Sequence, residues 1–227
     1  MIQKFILSLF VGVALMADYT ISYQFEESEG VSVIDMMQYK DDKNIKLSYY
    51  YKSDTNTLPQ RGLYVVDGIR YSVEGDEHNL TYHGVTQYGE TIDEPKSEVE
   101  PFFKVIKKLD KEYIAGFEGE IWVVESQEDG VKEQEKIVVC SNKFLVDAVK
   151  TYFNTIKEFG EGAYGQEYDE EFESMFMVAD GYVLIAARGI ELQNFEQKPI
   201  SSDVFLLPKE AQKLVEVFDD YEDDEDV

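Results

Sequence analysis

The sequence predicts an α+β fold that is mostly antiparallel β, a strongly curved sheet covered by one long and one or two short helices. Three observations predict it. Apolar and polar residues alternate with a period of two along most of the chain, Asp-Gly pairs sit between β-prone runs, and a single long segment carries a period of 3.6.

The alternation begins at Tyr19, Ile21, Tyr23 and Phe25, set against Thr20, Ser22 and Gln24, so one face of this strand is aromatic and the other wet. A turn over 26–30 leads to a strand over 31–39. A polar turn at Asp41, Asp42 and Lys43 leads to a third strand, in which Ile45, Leu47, Tyr49 and Tyr51 alternate with Lys46, Ser48 and Tyr50. The three are expected to be antiparallel in sequence order. Asp67-Gly68 lies between two β-prone runs, 63–66 and 69–73, and tolerates the positive φ angles that a two-residue hairpin requires. A short strand is expected over 82–88, and a surface loop over the acidic, proline-containing run 91–100. Strand character resumes over 102–109, turns at 110–112 and continues over 113–124, where Gly116 and Gly119 mark a bulge or bend. Asp129-Gly130 joins that strand to another over 135–140.

Ser141 or Asn142 then caps the long helix, with Leu145, Ala148, Val149, Tyr152, Ile156 and Phe159 on one stripe and Gly160 stopping it. The run 172–177 fits a helical turn or a loop. Strands are expected over 182–187 and 190–195, with a last short one over 204–207. Pro208 opens a short amphipathic helix using Ala211, Leu214, Val215 and Phe218. Residues 219–226 hold seven carboxylates in eight positions, which reads as a disordered acidic tail over 219–227.

The first seventeen residues read as a signal peptide: Lys4 precedes an apolar run over 5–16, and Ala17 stands before the polar Asp18. The run is too short for the ~20 residues that cross a bilayer. The expectation is export to the periplasm with cleavage after Ala17, no stable membrane anchor, and one β-rich domain over 18–218. Cys140 is the only cysteine, so no internal disulfide forms and stability must come from the core.

A formal net charge of −26 would repel a nucleic-acid backbone, which removes nucleic acid as a partner and leaves basic proteins and cations. The sequence lacks a phosphate-binding loop, a dinucleotide fingerprint, a nucleophile elbow and EF-hand spacing. His78 and His83 fit no metal-binding helix pattern, and Cys140 ends an apolar strand where an inert thiol is expected. With 47 carboxylates no acid–base pair stands out, and the acidic group Glu167, Asp169, Glu170, Glu171 and Glu173 reads as a solvated face. The chain is therefore expected not to be an enzyme and to need no metal or cofactor.

Sixteen tyrosines and fourteen phenylalanines, many on strands, remain to be explained. Ordinary sheet packing is one account. The other is an enclosed apolar site lined by Tyr23, Phe25, Leu47, Tyr49, Trp122, Met175, Phe176 and Met177, methionine adapting to varied guests.

Three segments, Tyr64-Val-Val-Asp-Gly-Ile-Arg-Tyr71, Ile114-Ala-Gly-Phe-Glu-Gly-Glu-Ile-Trp122 and Asp203-Val-Phe-Leu-Leu-Pro208, occur in this order. Together they resemble an exported bacterial family related to the periplasmic lipoprotein carriers, the LolA-like and LolB-like superfamily. The resemblance implies an incomplete antiparallel β-barrel covered by helices, with an apolar cavity for lipid or lipoprotein acyl chains. Two functional expectations follow. One is a soluble periplasmic carrier holding a lipid, acyl chain or apolar peptide. The other is an acidic interaction or structural module with a solid core that binds basic proteins or cations.

Overall fold

The computed structural model describes residues 18–26, 31–52, 61–75, 79–84, 103–128, 131–159, 170–209 and 211–213. The expected leader, the 91–100 loop, His78, Asp129-Gly130, Gly160, Glu167 and Asp169 of the acidic group, and the acidic tail lie outside the described residues. Within them the chain forms one open, mostly antiparallel sheet of twelve strands with two α-helices.

Strands β1 (Tyr19–Glu26), β2 (Ser32–Asp41) and β3 (Asn44–Tyr51) form the expected antiparallel meander. β4 (Arg61–Val66) and β5 (Ile69–Glu74) follow as a hairpin. Its turn residues Asp67 and Gly68 have φ of 52° and 84°, the left-handed pair that matches the twist of the flanking strands. β6 (Thr81–Gly84) is the described part of the strand expected over 82–88.

β7 (Lys104–Ile114) corrects the sequence reading, since it runs straight through the turn expected at 110–112. A register shift between Lys108 and Lys111 absorbs the irregularity as a bulge. The chain reverses instead at Ala115 and Gly116, with φ of 48° and 86°, so Gly116 is a turn residue and not a mid-strand one. β8 (Phe117–Glu128) and β9 (Val131–Cys140) pair antiparallel out to Glu128 opposite Val131. Gly119 serves close packing: a Cβ there would lie 2.5 Å from Val138 Cγ1 and 2.7 Å from Ile185 Cδ1.

Asn142 is the helix cap, its Oδ1 accepting the N–H groups of Phe144 and Leu145 at 3.0 and 3.2 Å. α1 (Lys143–Phe159) buries Leu145, Val146, Ala148, Val149, Phe153 and Phe159. The ambiguous run 172–177 falls mostly in a second helix, α2 (Glu170–Phe176). β10 (Val183–Ala187) and β11 (Ile190–Gln197) occupy their expected places.

The chain after β11 differs from expectation twice. No strand forms over 204–207: the Ser201 hydroxyl accepts the Asp203 N–H and a 3-10 turn spans Ser202–Phe205. Local side-chain bonding of this kind competes with strand formation. Nor does Pro208 open a helix among the described residues, which stop at Lys213; Leu214, Val215 and Phe218 lie outside them. After a turn that brings the Ala211 N–H to the Pro208 carbonyl, the Gln212 N–H reaches Leu80 O at 2.8 Å and β12 (Gln212–Lys213) pairs parallel with β6. The open edge of β6 supplies acceptors that a marginal helix cannot outcompete.

The strand order is β12-β6-β5-β4-β3-β2-β1-β11-β10-β9-β8-β7. Register places Tyr19, Ile21, Tyr23 and Phe25 opposite Tyr39, Met37, Asp35 and Val33, and these opposite Ile45, Leu47, Tyr49 and Tyr51. This face and the two helices enclose the main core. Tyr64 and Val73 point the other way and, with Leu80, form a smaller core against Leu207 and Ala211, so the C-terminal segment covers the second face.

Candidate functional site

The cleft between β1, β2, α1 and α2 is lined by Ile21, Tyr23, Phe25, Asp35, Met37, Val149, Tyr152, Phe153 and Phe176. Alternation along β1 aims Tyr23 and Phe25 inward, and α2 lays Phe172 and Phe176 over them. The Phe176 ring stands edge-on to Tyr23 at 5.0 Å and lies 5.5 Å from Phe153. Phe172 lies 5.2 Å from Phe176, 5.9 Å from Phe153 and 6.1 Å from Phe25. These separations are those of interlocked aromatic pairs, which add stability beyond the area they bury.

The rings leave little room. The cleft holds about 10 Å³ of free space, at the threshold for one water molecule. A roomier depression of about 250 Å³ opens among Gln24, Glu26, Lys52, Gly189, Glu191 and Gln193, but its lining is polar. Of these two spaces, the one with an apolar lining is already filled.

Two polar groups sit within the apolar layer. Asp35, 8% exposed, accepts a hydrogen bond from the Tyr152 hydroxyl, and α1 and β2 are tied together there. The Tyr23 hydroxyl donates to Leu184 O at 2.8 Å, and burial pushes its pKa far above the ordinary phenol value, so it remains a neutral donor. An ion pair between Lys157 and Glu173 fixes α2 to α1 at the rim.

Of the eight residues proposed from the sequence, the structure brings Tyr23, Phe25 and Phe176 into the cleft. Met175 and Met177 pack against the same core, and Leu47 is fully buried deeper within it. Tyr49 pairs with the Tyr51 ring at 6.4 Å. Trp122 is buried in the same main core but does not line the cleft. Its ring lies 5.0 Å from Tyr182, with Lys108 Nζ 4.1 Å from the Trp122 centroid, and its Nε1–H donates to Glu120 at 3.0 Å. That bond and the nearby Lys108 hold the Glu120 carboxyl below its usual range. Sequence reasoning missed Asp35, Tyr152 and Phe153. The signal for Asp35 was present, since it shares the parity of Val33, Met37 and Tyr39 in β2.

Cys140 is buried, and burial raises its thiol pKa while the Asn142 N–H opposes the shift. A raised pKa withholds the thiolate that nucleophilic chemistry needs. No cluster of three or more metal-ligating side chains occurs among the described residues, and no helix among them is long and apolar enough to cross a membrane. Comparison of the chain with protein-family models, with curated proteins and with solved structures gives no match.

Proposed function

We propose that this protein is a non-catalytic interaction module, a solid-cored β scaffold whose strongly negative exterior engages basic proteins or cations. The filled interior carries the reading. A binding pocket for an acyl chain needs roughly 300 Å³ or more, whereas the Tyr23, Phe25 and Phe176 cleft offers about 10 Å³. With the inner face spent on packing, recognition falls to the surface, where a formal charge of −26 favours cationic partners. The leader-like pattern of residues 1–17 supports a periplasmic setting for this activity.

The finer architecture belongs to the same proposal: a strongly curved sheet, approaching an incomplete β-barrel. Its support is the Phe117 ring of β8, which meets Phe195 of β11 at 5.6 Å although β9 and β10 separate their strands. β10 and β11 are joined by only two residue pairs, Ala186–Glu191 and Ala187–Ile190, where such a bend is easiest.

Two titrations of the purified protein test the reading. With cytochrome c as a basic probe, a saturable complex is expected that dissociates as salt rises. With palmitate, native mass spectrometry is expected to show only the unliganded mass. A one-to-one palmitate complex without a cytochrome c complex would overturn the module in favour of the lipid carrier that the resemblance implies.

A further inference from the structure

Lys108 of β7 stands directly opposite Trp122 of β8. Its Nζ lies 4.1 Å from the Trp122 ring centroid and 5.3 Å from that of Tyr182. The Glu120 carboxylate closes a third side, 3.7 Å from the same Nζ. Two ring faces and a carboxylate around an ammonium suit a weakly hydrated organic cation better than a strongly hydrated metal ion. The carboxylate does not depend on Lys108 for its place. Trp122 Nε1–H donates to Glu120 Oε2 at 3.0 Å and the Tyr182 hydroxyl donates to Oε1 at 3.4 Å, so each ring holds it. The rings are fixed in turn, 5.0 Å apart and with Trp122 only 2% exposed.

Lys108, by contrast, is loosely held. Its side chain is 54% exposed, it belongs to the outermost strand at its end of the sheet, and the β7–β8 register shifts on both sides of it. An ion pair so open to water contributes little. Lys111, opposite Glu120 in register, is engaged instead by Glu118. We propose that Glu120, Trp122 and Tyr182 form a recognition site for an alkylammonium group, the lysine side chain of a basic partner, and that Lys108 is a resident stand-in which such a side chain displaces. The proposal rests on the reading of the protein as a module for basic partners and gives that reading a place on the molecule. Lys108 competes at the high effective concentration of a tethered group. An incoming lysine therefore has to be held by further contacts, which selects a basic protein over free amines.

Trp122 is the chain's one tryptophan, so its fluorescence reads the site directly. Titration of the full chain with n-butylammonium chloride, against sodium chloride at equal ionic strength, is expected to shift the emission saturably in Lys108→Ala and in Lys108→Gln. The wild type should require about tenfold more ligand. Adding Glu120→Gln to Lys108→Ala should abolish the response, and circular dichroism reports that each variant is folded. In the otherwise unchanged chain, Glu120→Gln should weaken the cytochrome c complex about tenfold at fixed salt. Glu118→Gln, which removes the same charge outside the cage, should weaken it no more than about twofold. No butylammonium response in either Lys108 variant, or equal effects of Glu120→Gln and Glu118→Gln on a cytochrome c complex that still forms, overturns the site and leaves the module standing. A butylammonium response without any cytochrome c complex overturns the module, and with it the partner named here.

Discussion

The hydroxyl of Tyr152 on α1 donates a hydrogen bond to the carboxylate of Asp35 on β2, inside a layer otherwise built from aromatic and aliphatic side chains. Removing the donor takes one hydrogen bond from a buried carboxylate, which costs more than the bond itself contributes. Tyr152→Phe is expected to lower stability by about 1–3 kcal/mol. Adding Asp35→Asn should cost less than the sum of the two single changes, because the groups act as a pair. Urea denaturation of the two single variants and the double variant checks both statements.

Phe153 is almost wholly buried and packs against Tyr152, Phe172 and Phe176. Phe153→Ala is expected to cost about 3–5 kcal/mol, the range for truncating a core ring. If the variant stays folded it should also gain an apolar void that takes up xenon or benzene, as the wild type should not. Thermal melting with and without benzene reads both effects.

Gly119 and Gly84 give a matched pair. A methyl group at Gly119 would collide with Val138 and Ile185, whereas one at Gly84 would meet nothing within 4 Å. Gly119→Ala is expected to destabilise by about 1–3 kcal/mol through overpacking. Gly84→Ala should change stability by no more than about 0.5 kcal/mol. Denaturant midpoints of the two variants make the comparison.

Tyr64 should make stability fall at alkaline pH. Burial pushes its pKa up to about 12 in the folded chain, from 10.0. Because the folded value is the higher one, the neutral phenol's contribution is fully present below pH 10 and is lost as pH rises toward 12. A shift of that size corresponds to about 2–3 kcal/mol. Tyr64→Phe should flatten the fall in stability across this window. Denaturant midpoints collected through it provide the check.

The parts of the fold that could be read from sequence are those set by local pattern. Tyr19 to Phe25 declare a strand by strict alternation, Asp67-Gly68 declares a turn by its φ requirements, and Asn142 with Leu145, Val149 and Phe159 declares a capped amphipathic helix. What stayed hidden depends on distant chain. Gln212 and Lys213 are a strand only because Leu80 and β6 offer an open edge, and no local signal encodes that pairing. The same holds at the site: β1 announced that Tyr23 and Phe25 face inward, but nothing in residues 170–176 announced that Phe172 and Phe176 would fill the space before them. Aromatic residues at strand spacing are equally suited to lining a void and to filling one, and volume is a property of the assembled layers.

The C-terminal crossing also orders the chain's assembly in time. Tyr64, Val73 and Leu80 cannot finish shedding water until Leu207 and Ala211 arrive from well over a hundred residues downstream. A ribosome delivers these after every residue they cover, and contacts so remote in sequence are slow to close. A nascent chain stopped short of residue 207 should therefore keep a greasy patch uncovered on the outer side of β4 and β5, and that patch would be the natural place for a chaperone to hold it.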